Sequence, residues 1–420
     1  MSIRLVPHVG RGLRLGAALT AALGLIAAGG SVGAARHVRA SQPPVIIGLS
    51  SSLTGDFSAD GQANVQGYKL WQSYVNSHGG LLGRKVELKI LNDNSDPSQV
   101  TTDYEALVNQ YHANLLFGPF STLLNPPAAA IARRYGYMFI EGNGGGPSVF
   151  AQHNQNLFDV SSPTQSQLVD FADWLISLPK SERPKTAAYA TYQDPFTEPQ
   201  IQLCQKMLEK AGIKTVSFQV FPDETTDFTP IALKIVHSQA QVVVVGSLIN
   251  LAAAMVNTFR QQHYNPQVLT FTAGPDQGNQ WLKVVGGAKV TQGIMVEISW
   301  TPFLKTYQNS LMVHMYENVF GGKPVSISSD VAETFSVGQV LEQAVKATHS
   351  LNNSVLKAYI ENPAHVFQTV QGPVHYVKGG WGMSDAPSYI GQWQNGELQF
   401  VYPSFIASGR KVQFPKPNWP

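Results

Sequence analysis

The feature that most constrains the fold is an alternation of short apolar segments with amphipathic segments along most of the chain. Val45 to Leu49 is almost wholly apolar, as in a strand buried on both faces of a parallel sheet. The next apolar residues recur at helical spacing: Val65, Tyr68, Trp71 and Val75. Because such strand–helix pairs repeat with short connections, the sequence predicts an open α/β sheet with right-handed crossovers.

The alternation continues beyond these first two elements. Asp60 or Gly61 is predicted to cap the first helix, and Asp96-Pro97 to start the second with a cap and a proline at its first position. After a glycine-rich loop, Glu141 to Pro147, we expect a second α/β region that begins with a helix from Pro163 to Leu178. The region from Phe303 to Leu351 is predicted to be helical. Gln394-Asn395-Gly396 predicts a β-hairpin turn.

The first forty residues have the pattern of an export signal. Arg4, Arg11 and Arg14 precede an apolar run from Leu15 to Ala28, and Val38-Arg39-Ala40 is a candidate cleavage site. We therefore expect residues 1–40 to be a signal peptide and the protein to act in the periplasm or outside the cell. An uncleaved membrane anchor stays an alternative. No cysteine lies near the cleavage site, which argues against a lipid anchor.

Without those residues, 380 of the 420 would remain, which is too long for one ordinary core and suits two lobes. The leader holds five of the 29 Lys and Arg residues and none of the 27 Asp and Glu residues, so the mature net charge is about −3. A mildly acidic chain without a basic run argues against nucleic acid as a partner. Cys204 is the only cysteine, which excludes an intramolecular disulfide.

Several segments, in this order and spacing, resemble the type I periplasmic solute-binding proteins of branched-chain amino acid importers, the leucine/isoleucine/valine-binding protein family. The segments that carry the resemblance are Ile47 to Gly55, His78 to Val86, Asn92 to Pro97, Phe117-Gly118-Pro119, Thr226 to Thr229, Tyr264-Asn265-Pro266 and Gly274-Pro275-Asp276. The resemblance covers Val45 to Pro403.

This resemblance implies two Rossmann-like lobes joined by a three-segment hinge, with the ligand held in the cleft between them. Lobe one would comprise residues 44–162 and 298–370, and lobe two residues 163–297 and 371–410. The protein would be a non-enzymatic, monomeric receptor without cofactor or metal. It would pass a small solute, such as an amino acid, an amide or an aromatic acid, to an ABC permease and its ATPase in the inner membrane.

The resemblance also implies a set of ligand-binding residues. Ser121 and Thr122 would hold a ligand carboxylate together with the loop amides of Asn143, Gly144 and Gly145. Phe196 and Leu248 would lie against the ligand, and Asp60 and Asp276 are the acidic candidates, with Asp276 pairing with an ammonium group. Gly145 and Leu248 depart from the family pattern, which has a hydroxyl and an aromatic ring at these positions. Glu141 nearby would repel a carboxylate.

Two other classes of function were weighed against a receptor. A hydrolase lacks support, because no Gly-x-Ser-x-Gly elbow and no His-Glu-x-x-His or Cys-x-x-Cys motif occurs in the sequence. A ligand sensor of the same fold, coupled to a signalling partner, stays open. The identity of the solute does not follow from the sequence.

Overall fold

The structure is a computed structural model, and it describes residues 42–404 and 410–420. The predicted signal peptide lies outside the described residues. Within the described part of the chain, no helix is both long and apolar enough to cross a membrane.

Fourteen strands are found among the described residues. In chain order they are β1 (Val45–Ser51), β2 (Val86–Asn92), β3 (Leu115–Phe117), β4 (Phe139–Glu141), β5 (Leu157–Asp159), β6 (Thr186–Tyr192), β7 (Lys214–Phe221), β8 (Val242–Gly246), β9 (Val268–Phe271), β10 (Met295–Ile298), β11 (Phe367–Thr369), β12 (Gly372–Val374), β13 (Tyr389–Gln394) and β14 (Glu397–Tyr402).

Twelve α-helices lie in the same part of the chain. In order they are α1 (Ser58–Ser77), α2 (Pro97–Asn109), α3 (Asn125–Arg134), α4 (Pro147–Phe150), α5 (Val169–Ser177), α6 (Thr197–Lys210), α7 (Thr229–Ser238), α8 (Ile249–Gln261), α9 (Gly278–Val285), α10 (Asn309–Phe320), α11 (Ser329–Thr348) and α12 (Asn353–Ile360).

The strands form two main sheets. The first is wholly parallel, in the order β2-β1-β3-β4-β5. The second has the order β14-β13-β10-β9-β8-β6-β7, with the hairpin β13–β14 added antiparallel at the edge next to β10. The predicted α/β class is confirmed. The apolar strands are buried on both faces, as in β8, where every residue is buried.

Two long helices, α1 and α11, pack on each other and on the first sheet. Gly338 of α11 allows this approach, because a Cβ built on it would lie 2.1 Å from the ring of Trp71 in α1. Tyr68 of α1 and Phe335 of α11 belong to the same buried core as the strand residue Ile47.

The chain crosses between the two sheets three times. It passes from the first sheet to the second after β5, returns to the side of the first sheet after β10, and enters the second sheet again at β13.

Several local predictions are confirmed. Asp96 caps α2 by accepting a hydrogen bond of 2.7 Å from the amide of Ser98, and Pro97 is the first helical residue. The turn between β13 and β14 holds Asn395 and Gly396 at φ 55° and 84°. This left-handed pair fits the twist of a hairpin, and glycine adopts it without strain.

Other local predictions were wrong. α1 begins at Ser58, so Asp60 lies inside the first turn and neither Asp60 nor Gly61 is the cap. The predicted helix from Pro163 is a short 3₁₀ turn, and α5 starts only at Val169. The predicted helical region from Phe303 is interrupted between α10 and α11, because Gly321 and Gly322 both have positive φ.

Candidate functional site

A cavity of about 510 Å³ lies where loops from both sheets meet. On the side of the first sheet, its walls come from the chain after β1, β3, β4 and β5. On the side of the second sheet, they come from the chain after β6, β7, β8 and β9 and from β10 itself. The start of α11 completes the lining. These are mainly the carboxyl ends of parallel strands, which is where open α/β sheets bind ligands.

Seven of the nine residues predicted to bind a ligand line this cavity. They are Asp60, Ser121, Asn143, Gly145, Phe196, Leu248 and Asp276. Thr122 and Gly144 do not line it. Thr122 is 1% exposed and lies against the position that a side chain at Gly146 would take. Gly144 faces the side chains of Asn125 and Glu141.

Ser121 adopts a backbone conformation that is unusual for its residue type. Its φ is 88°, in the left-handed region that favours glycine, and the residue is buried. Its hydroxyl accepts a hydrogen bond of 3.3 Å from the amide of Leu124 at the approach to α3. Non-glycine residues in such conformations cluster at ligand-binding sites, where the surrounding structure holds them.

The glycine-rich loop after β4 is folded around its own carboxyl group. Glu141 is fully buried, and its Oε2 accepts a hydrogen bond of 2.9 Å from the amide of Asn143. The amide of Gly146 donates to the carbonyl of Gly144 at 2.8 Å. Two amides of the loop are therefore already satisfied within the protein.

Three carboxyl groups converge on one amide nitrogen at the inner end of the cavity. Gln277 Nε2 lies 2.5 Å from Asp60 Oδ1, 3.0 Å from Asp330 Oδ2 and 3.2 Å from Asp276 Oδ2. Asp60 belongs to α1 beside the first sheet, whereas Gln277 follows β9 of the second. This amide therefore bridges the two halves of the site.

Asn143 connects further acids to the same cluster. Its Nδ2 donates to Asp330 Oδ1 at 3.2 Å and also to Glu333 Oε2, and its Oδ1 accepts from Asn64 at 2.8 Å. Glu297 on β10 is 7% exposed, and its buried Oε1 has no hydrogen-bond partner. Oδ2 of Asp60 is likewise buried without a partner. We call Asp60, Asp276, Glu297, Asp330 and Glu333 the inner acidic cluster.

Burial raises the pKa of every member of the inner acidic cluster, because water no longer solvates the charged form. The pKa of Asp276 rises to about 7 through burial and then through repulsion by Asp330. The pKa values of Asp60, Glu297 and Glu333 rise well above the usual range of carboxyl groups for the same two reasons, burial and neighbouring carboxylates. The cluster therefore holds its protons to a higher pH than solvent-exposed carboxyl groups do.

Apolar side chains form much of the remaining wall. Phe57 and Phe120 contact each other edge to face, with ring centroids 5.8 Å apart. On the other side Tyr192 and Phe228 do the same at 6.0 Å. Phe196, Leu123 and Leu248 add further apolar lining.

The charge of the cavity has one sign. Nine lining residues are acidic, and none of the lining residues that the structure describes is Lys, Arg or His. Beyond the inner acidic cluster, Asp194 is hydrogen-bonded to the amides of Phe196 and Thr197 at the start of α6. Asp56, Asp223 and Glu224 are exposed where the cavity opens, and we call them the outer acids. No group of three or more His, Cys, Asp or Glu residues within 42–404 and 410–420 could hold a metal ion.

Sequence reasoning missed the acids that come from β10 and α11. Glu297 was available as a charged residue within the apolar segment Met295 to Ile298, and a charge in a buried strand is a signal of function. Asp330 and Glu333 lie in the first turns of α11, which Ser328 caps. Only the packing of α11 on α1 brings them to Asp60.

Comparisons with known proteins agree with this architecture. The family model described as periplasmic binding protein matches residues 44–397. Leu/Ile/Val-binding protein homolog 3 of Brucella melitensis is 20% identical over 363 residues, which are 86% of this chain and 94% of that protein.

Solved structures show the same fold. The branched-chain amino acid transporter substrate binding protein LivJ of Streptococcus pneumoniae, in complex with isoleucine, aligns with a TM-score of 0.75 at 17% identity, covering 86% of this chain and 100% of that one. An ABC transporter solute binding protein of R. palustris, in complex with benzoate, aligns with a TM-score of 0.72 at 18% identity, covering 85% and 95%.

Proposed function

The chain belongs to the periplasmic binding protein family, and on that premise we propose that it is the substrate-binding component of an ABC importer. Its solute would be an amino acid or a similar small polar compound that carries an amino group. The observation that carries this proposal is the cavity of about 510 Å³, which is lined by residues beside both sheets. Two of these residues, Asp60 and Glu297, have a buried carboxylate oxygen without a hydrogen-bond partner. Such a cavity has the size of a small-molecule site.

We propose that the solute is captured by closure of two lobes, residues 44–162 with 298–370 and residues 163–297 with 371–410. A ligand that contacts both lobes binds the closed state better and shifts the population toward it. The hydrogen bond between Gln277 and Asp60 supports this mechanism, because it already joins the two sides of the cavity.

Within the cavity we assign a role to each lining candidate. Asp60 and Asp276 would accept hydrogen bonds from the ammonium group of the solute. Ser121, Asn143 and the backbone at Gly145 would hold its polar groups, and Phe196 and Leu248 would pack against its apolar part. Thr122 and Gly144 would act behind this lining, by supporting the neighbouring loop.

We further propose that the protein is exported through residues 1–40, acts as a monomer outside the cytoplasm, and delivers its solute unchanged to a membrane permease. The proteins that share its fold include ones bound to isoleucine and to benzoate. Both are small solutes held by binding proteins of transporters, which supports a transport role over a catalytic one.

Thermal-shift screening of the refolded, ligand-free protein against amino acids, amides, amines and aromatic acids tests this proposal. A ligand at one hundred times its dissociation constant adds about 2.7 kcal/mol to the stability of the folded state. We expect at least one class to raise the melting temperature without being converted. Conversion of the compound would instead indicate an enzyme, and no response to any class would contradict a solute receptor.

A further inference from the structure

We infer that the solute is an organic polycation: two or more amine or guanidine groups on an apolar chain, with no carboxylate. This inference rests on the proposed function and narrows its substrate class. It follows from the charges, the unpartnered atoms and the apolar wall of the cavity.

The charge of the cavity selects a cation. Four carboxyl groups of the inner acidic cluster are buried and the fifth, that of Asp276, is partly buried, and no described lining residue is Lys, Arg or His. A buried carboxylate without a positive partner is costly, so it either takes up a proton or binds a cation. An amino acid would bring one ammonium group, but it would also bring a carboxylate into the same field.

Two residues that line the cavity each have a buried carboxylate oxygen without a hydrogen-bond partner, and they belong to different halves of the site. Oδ2 of Asp60 is on α1, and Oε1 of Glu297 is on β10. Both residues line the cavity, at 3% and 7% exposure. A buried acceptor is normally hydrogen-bonded, so these two oxygens indicate N–H donors that arrive with the ligand.

Part of the place where a ligand carboxylate would be expected is already used by the protein. Glu141 Oε2 accepts a hydrogen bond from the amide of Asn143, and the carbonyl of Gly144 accepts one from the amide of Gly146. The position that would carry the family's hydroxyl is Gly145. The remaining side chains near this loop include the carboxyl of Glu141 itself, which would repel an anion.

More than one cation is indicated by the separation of the acids into two groups. The inner acidic cluster is largely buried, whereas the outer acids Asp56, Asp223 and Glu224 are exposed at the opening of the same cavity. The aromatic pairs Phe57–Phe120 and Tyr192–Phe228 supply apolar surface and ring faces for methylene groups and cations. A solute with a cation at each end of an apolar chain satisfies both groups.

The cluster is built for an N–H donor rather than for a metal ion. Where Asp60, Asp276 and Asp330 converge, the atom between them is the amide nitrogen of Gln277. An amide nitrogen repels a metal ion at that point, whereas ammonium and guanidinium groups donate to the outward-facing oxygens of the same carboxylates.

Isothermal titration calorimetry of the ligand-free, full-length protein at neutral pH and low salt tests the inference. The matched probes are cadaverine, pentylamine and δ-aminovalerate, which share one carbon chain, with spermidine, leucine and Ca²⁺ alone beside them. We expect cadaverine or spermidine to bind at least about tenfold more tightly than pentylamine and δ-aminovalerate, and addition of salt to weaken this binding.

The possible results separate this inference from the proposed function. If δ-aminovalerate or leucine bound more tightly than cadaverine and spermidine, the inference of a polycation would be wrong, while the proposed solute receptor would stand. Tighter binding of Ca²⁺ would overturn the organic cation. Absence of binding by all six probes would overturn the polycation, and the thermal-shift screen would then decide separately whether any solute class binds.

Three variants locate the two cation positions. Glu297→Gln should weaken the binding of cadaverine and of pentylamine alike, by about tenfold, because it removes a carboxylate that would accept a charge-assisted hydrogen bond from an ammonium group. The double variant Asp223→Asn with Glu224→Gln should weaken the binding of cadaverine and leave the binding of pentylamine unchanged. Glu182 is an exposed acid away from the cavity, so Glu182→Gln should change the affinity for neither amine. A Glu297→Gln protein that binds both amines as tightly as before would contradict the assignment.

Discussion

At the scale of single residues, Asp276 is the acid that the sequence indicated and that the structure places in the cavity. Its Oδ1 accepts a hydrogen bond of 2.7 Å from the amide of Gly274, which fixes the carboxyl group. Its Oδ2 shares Gln277 with Asp60 and Asp330. A cation that enters this cluster therefore meets a carboxyl group that is already oriented.

We predict that Asp276→Ala weakens binding of an amino-bearing solute by about 2–4 kcal/mol, because the ammonium group loses a desolvated, charge-assisted partner. Calorimetry against the solute found by screening checks this value. Glu182→Ala is the matched control, since that acid is exposed and remote from the cavity. An unchanged affinity would remove Asp276 from the site.

The residues that could be predicted share one property: they lie just after strands whose apolar pattern is plain in the sequence. Ser121 follows β3, Asn143 follows β4, and Asp276 follows β9. Glu297 could not be placed in this way, because the segment of β10 that contains it was not recognised as a strand. Asp330 and Glu333 depend on a contact between helices that are distant in sequence, which local pattern does not encode.

At the scale of elements, the contact between α1 and α11 positions the inner acidic cluster. Asp60 lies in the first turn of α1, and Asp330 lies in the first turn of α11. Gly338 permits the close approach of the two helices at Trp71. A change at this glycine would therefore act on the site from a distance.

We predict that Gly338→Ala destabilises the protein by about 1–3 kcal/mol or more, because the added methyl overlaps the fully buried ring of Trp71. Chemical denaturation measures the free energy of unfolding. Ala347→Ser, at an exposed position of the same helix, should change it by only a few tenths of a kcal/mol. If Gly338→Ala were as stable as Ala347→Ser, the helices would not be in close contact.

The start of α2 offers a second test at this scale. We predict that Asp96→Ala lowers the free energy of unfolding by about 1 kcal/mol, because the amide of Ser98 loses its acceptor. Asp96→Asn keeps a side-chain oxygen in place and should retain most of the stability. Equal losses in both variants would mean that the charge, and not the cap, stabilises the helix.

The elements could be predicted where periodicity and end signals coincide, as for α2 and the β13–β14 hairpin. They could not where an acid interrupts a short apolar run or where glycine interrupts a helical pattern. β5 and β10 are as short as β3 and β9, but Asp159 and Glu297 interrupt their apolar runs. The sequence pattern predicted one helical region where the structure has the separate helices α10 and α11. Gly321 and Gly322 separate them, because both have positive φ.

At the scale of the whole molecule, the buried acids make stability depend on pH in an unusual direction. The pKa values of Asp159 and Asp276 are both raised by burial, from 3.8 to about 7. Between these two values the folded protein holds protons that the unfolded chain has released. Raising the pH through this interval therefore reduces the free energy of unfolding.

We predict that the melting temperature of the ligand-free protein falls as the pH rises from about 4 to about 7. Above that range the buried Lys416 acts in the opposite direction, because burial lowers its pKa from 10.5 to about 7 and the folded state releases its proton first. Calorimetric melting across this pH series checks the sign. Asp276→Asn should flatten the fall, and a melting temperature that rises steadily from acid to neutral pH would contradict it.

The three passages of the chain between the two sheets have a consequence for the order in which the protein can be completed during synthesis. The first core lacks α11 until residues near 348 have been made, and the second sheet lacks β13 and β14 until residues near 402 follow. Neither half can finish its core from an amino-terminal fragment. The nascent chain therefore cannot complete its fold until nearly all of it has emerged, which would suit the proposed export, because an export channel takes an unfolded substrate.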